Sequence, residues 1–152
     1  MPISTAQSPQ RDPVVQFSAF TPNRVGRLRD VVGALGAEGV HVLALTVLDT
    51  TDSAIIRFVV DDPQKARTVL RDQEFAFAES ALVVVEVSSP EELNRLVSAL
   101  LEAELNINYL YSFIPHPHGK SILGLSMEDN DMAEKVLQRH QFPVLRQSDI
   151  SR

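Results

Sequence analysis

Ile55-Ile56-Arg57-Phe58-Val59-Val60-Asp61-Asp62 and Ile122-Leu123-Gly124-Leu125-Ser126-Met127-Glu128-Asp129 are two versions of one pattern, an apolar run ending in two carboxylates, set 67 residues apart. The same spacing pairs Ala66 with Ala133, Val69 with Val136, Leu70 with Leu137 and Phe75 with Phe142. Towards the N-terminus the best sequence match slips to 68, pairing Pro22 with Pro90, Arg27 with Arg95 and Leu28 with Leu96. A duplication this long defines the unit of folding, so the chain is expected to hold two units of about 70 residues each. A unit of roughly 60 residues buries only about 60% of the surface its unfolded chain exposes, so the two are expected to pack together or to dimerise.

Working outward from the repeat, Val14 to Phe20 has the composition of a strand, and Val25, Leu28, Val31, Val32 and Leu35 recur with helical spacing up to Gly39. Val40 to Leu48 and Ala54 to Val60 are β-rich runs joined by Asp49-Thr50-Thr51-Asp52-Ser53, a hairpin signature. Pro63 opens a second helix at its favoured first-turn position, and Phe75 to Ala78 forms a short closing strand. The second copy repeats the order: strand 82–87, helix 91–104, strands 107–114 and 121–127, helix 131–140 and strand 143–147. Strand–helix–strand–strand–helix–strand predicts an α+β class with two ferredoxin-like βαββαβ repeats, each an antiparallel sheet with its helices on one face. The other face of each sheet is left bare and needs a partner, within or between chains. Residues 1–13, rich in Pro, Ser, Gln and Thr, are read as a disordered tail, 14–80 as the first domain and 81–152 as the second.

Composition narrows the functions. The 152 residues carry a net charge of −6, opposite to the basic stripe that nucleic-acid binding needs. No apolar run approaches the roughly 20 residues that span a bilayer, and Met1 to Pro13 lacks the apolar core of a signal peptide. Cysteine is absent, which removes disulfides, thiolate metal sites and a cysteine nucleophile. A cytoplasmic protein with neither nucleic-acid nor membrane partners is expected.

The fold hosts many activities, so function has to be read from a site. The best candidate is Asn23-Arg24-Val25-Gly26-Arg27-Leu28, between the first strand and the first helix. Free N–H groups and the positive end of the dipole at a helix start suit a carboxylate. Gly26 admits close approach to the backbone, Asn23 has the chemistry to cap the helix or bind a ligand, and Arg24 or Arg27 can add a charge-assisted bond. With these residues in place, the loop resembles the ligand loop of ACT domains, small amino-acid-sensing modules in which an Asn-x-Pro-Gly-x-Leu pattern recurs. Asn23, Gly26 and Leu28 match, whereas Val25 stands where the pattern has proline. The resemblance covers residues 14 to 147 and includes the run Asn108-Tyr109-Leu110-Tyr111-Ser112-Phe113, similar to stand-alone bacterial tandem ACT proteins.

At the spacing of 68, the matching positions of the second copy are Glu91, Glu92, Leu93 and Asn94. Their carboxylates favour a helix N-terminus but repel a ligand carboxylate, so that loop is expected to be structural. Packing of the copies about a pseudo-twofold axis is expected to bring the first loop to the second strand of the other copy, where Tyr111 and Ser112 would complete the site. His116 and His118 lack a third ligand nearby, and no metal or cofactor is expected. Asp61-Asp62 and Glu128-Asp129 precede the second helix of each copy and are expected to cap it.

The resemblance therefore implies a non-catalytic regulatory module that binds a free amino acid, forms a homodimer and acts on a metabolic enzyme or regulator. Two rivals are a constitutive assembly protein and a small ferredoxin-like enzyme using Arg24 or Arg27 with Asn23 on an acyl-phosphate-like anion.

Overall fold

A computed structural model describes residues 11–22, 25–114 and 120–151. The first repeat runs β1 (Val14–Pro22), α1 (Arg27–Ala37), β2 (Val42–Asp49), β3 (Ser53–Val60), α2 (Pro63–Asp72) and the first half of β4 (Ala76–Val87). The second uses the rest of β4, then α3 (Pro90–Glu102), β5 (Ile107–Ser112), β6 (Ser121–Met127), α4 (Asn130–Arg139) and β7 (Val144–Leu145), followed by a short α5 (Gln147–Ile150). All pairings are antiparallel, in the order β2-β3-β1-β4-β6-β5 with β7 also on β4. The expected α+β architecture is present, with one difference of substance. The expected strands 75–78 and 82–87 are one continuous β4, whose first half pairs with β1 and whose second half pairs with β6 and β7. The repeats thus share a strand.

Each repeat buries the helix-facing side of its sheet. Phe17, Ile56, Phe58, Val31, Leu35 and Leu70 form the first core, and Val85, Leu96, Leu100, Leu125 and Leu137 the second. The bare faces meet within the chain: Val14, Ala44, Val59, Leu82, Val84, Tyr111 and Phe113 form a third core between the sheets. The outer strands close on each other there, with Ala44 bridging Phe113 and Ile114 N–H donating to Leu43 O at 2.8 Å. Such closure covers edges that would otherwise template pairing with other chains. A shift of register in β2 between Val42 and Ala44 lets Leu43 join Ala44 on this inner face.

Strand register corrects the spacing of 68. Phe17 lies opposite Phe58 and Val83 opposite Leu125, so β1 and β4 correspond at a spacing of 66. Helix ends give 65 for α1 and α3: Val40 N–H bonds Leu35 O as Leu105 N–H bonds Leu100 O, after Gly39 (φ 76°) and Glu104 (φ 58°). Leu28 therefore corresponds to Leu93, not Leu96. The first copy has one residue more, rather than fewer, between strand and helix. At the other end of each repeat the spacing of 67 holds. Asp62 and Asp129 cap α2 and α4 by accepting from Lys65 N–H and Met132 N–H, as expected of the recurring carboxylates.

The termini also differ from expectation. Asp12, placed in the tail, accepts from Gln147 N–H at 3.1 Å through its carbonyl and from Ser148 N–H at 3.0 Å through its side chain. Buried Gln147, read as the end of a strand, opens α5 and ties the repeats together: its Oε1 accepts from Val15 N–H and its Nε2 donates to Val60 O.

Candidate functional site

The alternation of β1 puts Phe17, Ala19 and Thr21 on one face, so a hydroxyl follows two core residues into the interior. Thr21 is only 3% exposed, and its Oγ1 has no hydrogen-bond partner among the described residues. Beyond the strand, Gly26 occupies the left-handed region (φ 92°, ψ −9°) and is itself the N-cap of α1, with no side-chain bond to the first-turn N–H groups among the described residues. Only glycine takes that conformation without steric cost, and nothing lies within 4 Å of where its Cβ would stand. The N-cap position itself thus falls on Gly26.

Arg27 extends from the first turn over the Phe75 ring, 5.1 Å from its centroid, and pairs with Asp30 at 3.1 Å. Its Nε is buried and, like Thr21 Oγ1, unpaired among the described residues. Both residues border a cavity of about 140 Å³ with Gly26, Leu28, Val47 and Ile56, and Asp49 adds one carboxylate to its wall. Two residues with polar atoms unpaired among the described residues, a helix start capped by glycine, apolar side chains and Asp49 thus lie around one small space. A buried polar group left unpaired costs on the order of 1–3 kcal/mol, so this arrangement favours an incoming acceptor.

Among the other expected site residues, Val25 is fully exposed and Leu28 is 40% exposed. Asn23 and Arg24 lie outside the described residues, as do His116 and His118. Tyr111 and Ser112 do not border this cavity, all of whose lining comes from the first repeat. Ser112 is exposed on β5. Tyr111 is buried between the sheets, where its hydroxyl donates to Gln16 Oε1 at 2.6 Å. Gln16 Nε2 in turn donates to Tyr109 OH at 2.8 Å and Ser80 Oγ at 3.0 Å. Burial, reinforced by Tyr109, raises the Tyr111 phenol far above its ordinary range, against the opposing charge of Arg57. This network joins β1, β4 and β5, so the tyrosine anchors the repeats to each other.

The second repeat begins its helix differently. Ser89 caps α3, its Oγ accepting from Glu92 N–H at 3.4 Å, while Glu92 Oε1 accepts from Ser88 N–H at 2.7 Å. The two bonds resemble a capping box, with Glu92 reaching back to the residue before the cap. The bond from Ser88 N–H, against a smaller desolvation cost and with help from Arg95, lowers the Glu92 pKa. The start of α3 is thus satisfied by its own side chains and carries Glu91 and Glu92 in its first turn. Among the described residues no cluster of three His, Asp or Glu side chains has the arrangement of a metal site, and no helix is long and apolar enough to cross a membrane.

The participation of Thr21 and Gln16 was not visible in the sequence reading. The alternation Phe17-x-Ala19-x-Thr21 carried a signal for the first, since it sets a hydroxyl on the buried face. Nothing local marked Gln16, whose partners are 64 to 95 residues away.

Comparison with known proteins agrees with this architecture. A protein of Bacteroides thetaiotaomicron superposes with a TM-score of 0.83 at 28% identity, covering 91% of this chain and 96% of that one. The regulatory subunit of aspartate kinase from Thermus thermophilus, in its ligand-free form, gives 0.62 at 18% identity over 86% and 93% of the two chains. The corresponding subunit from Thermus flavus gives 0.55 at 16% identity over 85% and 93%. At those identities the likeness to the kinase subunits is one of fold. No curated protein matches the sequence. A family model described as an ACT domain pair matches residues 13–152, and the chain belongs to that family.

Proposed function

We propose that this chain is a non-catalytic regulatory module that binds a free amino acid at the β1–α1 junction of its first repeat. The observation that carries the reading is the start of α1 at Gly26 beside the buried Thr21 Oγ1 and Arg27 Nε, neither of which has a partner among the described residues. The first-turn N–H groups would take the ligand carboxylate, Gly26 would admit it against the backbone, and Leu28 and Val47 would meet its aliphatic part. Asn23 and Arg24 remain part of the proposed loop on the strength of the sequence pattern alone. Two solved structures with this fold are regulatory subunits of aspartate kinase, which accords with a regulatory role.

A cavity of about 140 Å³ is smaller than the roughly 300–1,000 Å³ of a typical ligand pocket, so a second surface is needed to close it. Homodimerisation would supply one. Leu28 and Val32 on α1 are 40% and 37% exposed, and their counterparts Leu93 and Val97 on α3 are 40% and 38% exposed. Each pair is spaced by four residues, an apolar stripe repeated on both helices and unused by the chain's own cores. Binding across such an interface would couple ligand to assembly, and the output would reach a metabolic enzyme or regulator through the dimer.

A thermal-shift screen of the protein against the common amino acids tests the reading, with Gly26→Glu as its control. A ligand at about 100 times its Kd stabilises the folded state by roughly 2.7 kcal/mol. The expected result is a shift with at least one amino acid that Gly26→Glu abolishes. No shift with any of them, or a shift that Gly26→Glu leaves intact, would contradict the proposed site.

A further inference from the structure

The core between the sheets ends differently at its two ends. Along β3 its inward residues run Arg57, Val59, then Asp61 just beyond the strand; along β4 they run Ser80, Leu82, Val84, Glu86. At one end Ser80, Gln16 and both tyrosines bond one another and Arg57 lies 4.3 Å over the Tyr109 ring, with its buried Nε unpaired among the described residues. At the other end Asp61 and Glu86 border a cavity of about 690 Å³ between the repeats, within the size range of small-molecule sites.

The walls of this cavity are of two kinds. Leu43, Phe113, Ile114, Ile122, Leu145 and Ile150 form an apolar surface drawn from both repeats and α5. Against it stand three carboxylates, Asp61, Glu86 and Asp149. His41 occupies Asp61, with Nδ1 at 2.7 Å from Oδ2 and the backbone N–H donating to Oδ1 at 2.9 Å. Desolvation opposes the Asp61 charge, but these bonds outweigh it and lower the pKa, keeping the group ionised. Asp149 accepts from Arg146 N–H at 2.6 Å through Oδ2. Glu86 is less engaged: among the described residues its side chain meets only Lys120, at 3.9 Å, and that lysine is 60% exposed. A surface pair of that length holds its carboxylate weakly.

We propose that this cavity is a second ligand site, for a small organic cation: an ammonium group on an apolar body, with Glu86 receiving the charge and Phe113, Ile122 and Ile150 the body. Its chemistry is the reverse of the α1 site, where N–H donors await a carboxylate. The geometry also gives it a lever, because a ligand here would touch β2, β4, β6, β7 and α5 together and so would bias how the repeats sit against each other.

Benzylamine and its uncharged analogue benzyl alcohol are suitable probes, followed by amide chemical shifts of the full-length ¹⁵N-labelled protein. Benzylamine should move the signals of Leu43, Glu86, Ile122 and Ile150, and benzyl alcohol should bind about tenfold more weakly or worse. Glu86→Gln should weaken the amine by a similar factor while leaving the alcohol unchanged, and Ile122→Phe, which fills the cavity with an apolar ring, should block both. Gly26→Glu should have no effect, which separates this site from the α1 site. The proposal is overturned if the amine does not bind, if amine and alcohol bind equally, if Glu86→Gln leaves amine affinity unchanged, or if the shifts cluster away from these residues.

Discussion

The two repeats start their first helices in opposite ways, and the contrast shows how a duplicated scaffold specialises. In the second, Ser89 and Glu92 satisfy the start of α3 from within. In the first, the corresponding helix has glycine at its cap, and Thr21 and Arg27 hold polar atoms that are unpaired among the described residues. The same backbone plan thus yields one helix start closed by its own side chains and one that begins at a glycine. A second inversion runs through the other half of each repeat. Arg67 on α2 forms a two-bond pair with Glu79 on β4, at 2.6 and 2.7 Å. At the spacing of 67 the same positions are Glu134 and Arg146, again joined by two bonds, at 3.0 and 2.9 Å. The ion pair is kept while its polarity is reversed.

The largest expected effect breaks what the repeats share. Leu82 lies in the core between the sheets and reaches to within 3.1 Å of where a Cβ on Gly124 would stand. Leu82→Ala should cost about 2–5 kcal/mol in chemical denaturation. Because β4 belongs to both repeats, the variant should still unfold in one transition; two separated transitions would mean that the repeats fold independently. Next in size, Ser89→Ala should destabilise by about 1 kcal/mol through loss of the α3 cap and leave any amino-acid response unchanged. A response lost in Ser89→Ala would remove the proposed division of labour.

The reversed ion pairs give a smaller effect. Arg67→Glu should cost on the order of 1 kcal/mol or less by setting two carboxylates together, and the exchange Arg67→Glu with Glu79→Arg should recover most of it, since the second repeat already uses that polarity. Failure of the exchange to recover stability would mean that the polarity is fixed by surroundings other than the pair. The same pair predicts a pH dependence. The bond from Arg67, opposed by desolvation, lowers the Glu79 pKa below its ordinary 4.5. Its contribution is therefore present above the unfolded-state value and is lost as pH falls through the lowered folded-state value. Glu79→Gln should flatten that part of the acid limb of a stability-against-pH curve.

Much of the fold was legible because apolar periodicity is a local property. The spacing of 67 located α2, α4, β3 and β6, and the recurring Asp62 and Asp129 marked their caps. The helix register was misread because Leu28, Val31, Val32 and Leu35 match the helical pattern of α3 at more than one spacing; the hydrogen bonds at the helix ends, with burial in agreement, make Leu93 rather than Leu96 the partner of Leu28. β4 was divided because Glu79-Ser80 looks like a break, yet this stretch keeps its ladder with β1. Four-residue α5 is held by Asp12, Val15 and Val60, partners invisible to a local pattern. At the site, Gly26 and the helix start were readable. Alternation along β5 correctly set Tyr109, Tyr111 and Phe113 on one face, but what that face meets is a tertiary fact.

Thr21→Val tests the central claim most directly, because it removes one hydroxyl and little else. That hydroxyl is buried and unpaired among the described residues, so without ligand the variant should match or exceed the wild-type melting temperature. With the amino acid that stabilises the wild type, measured by calorimetric titration, affinity should fall by about tenfold. Unchanged affinity in Thr21→Val would contradict the account of the first helix start as the amino-acid site.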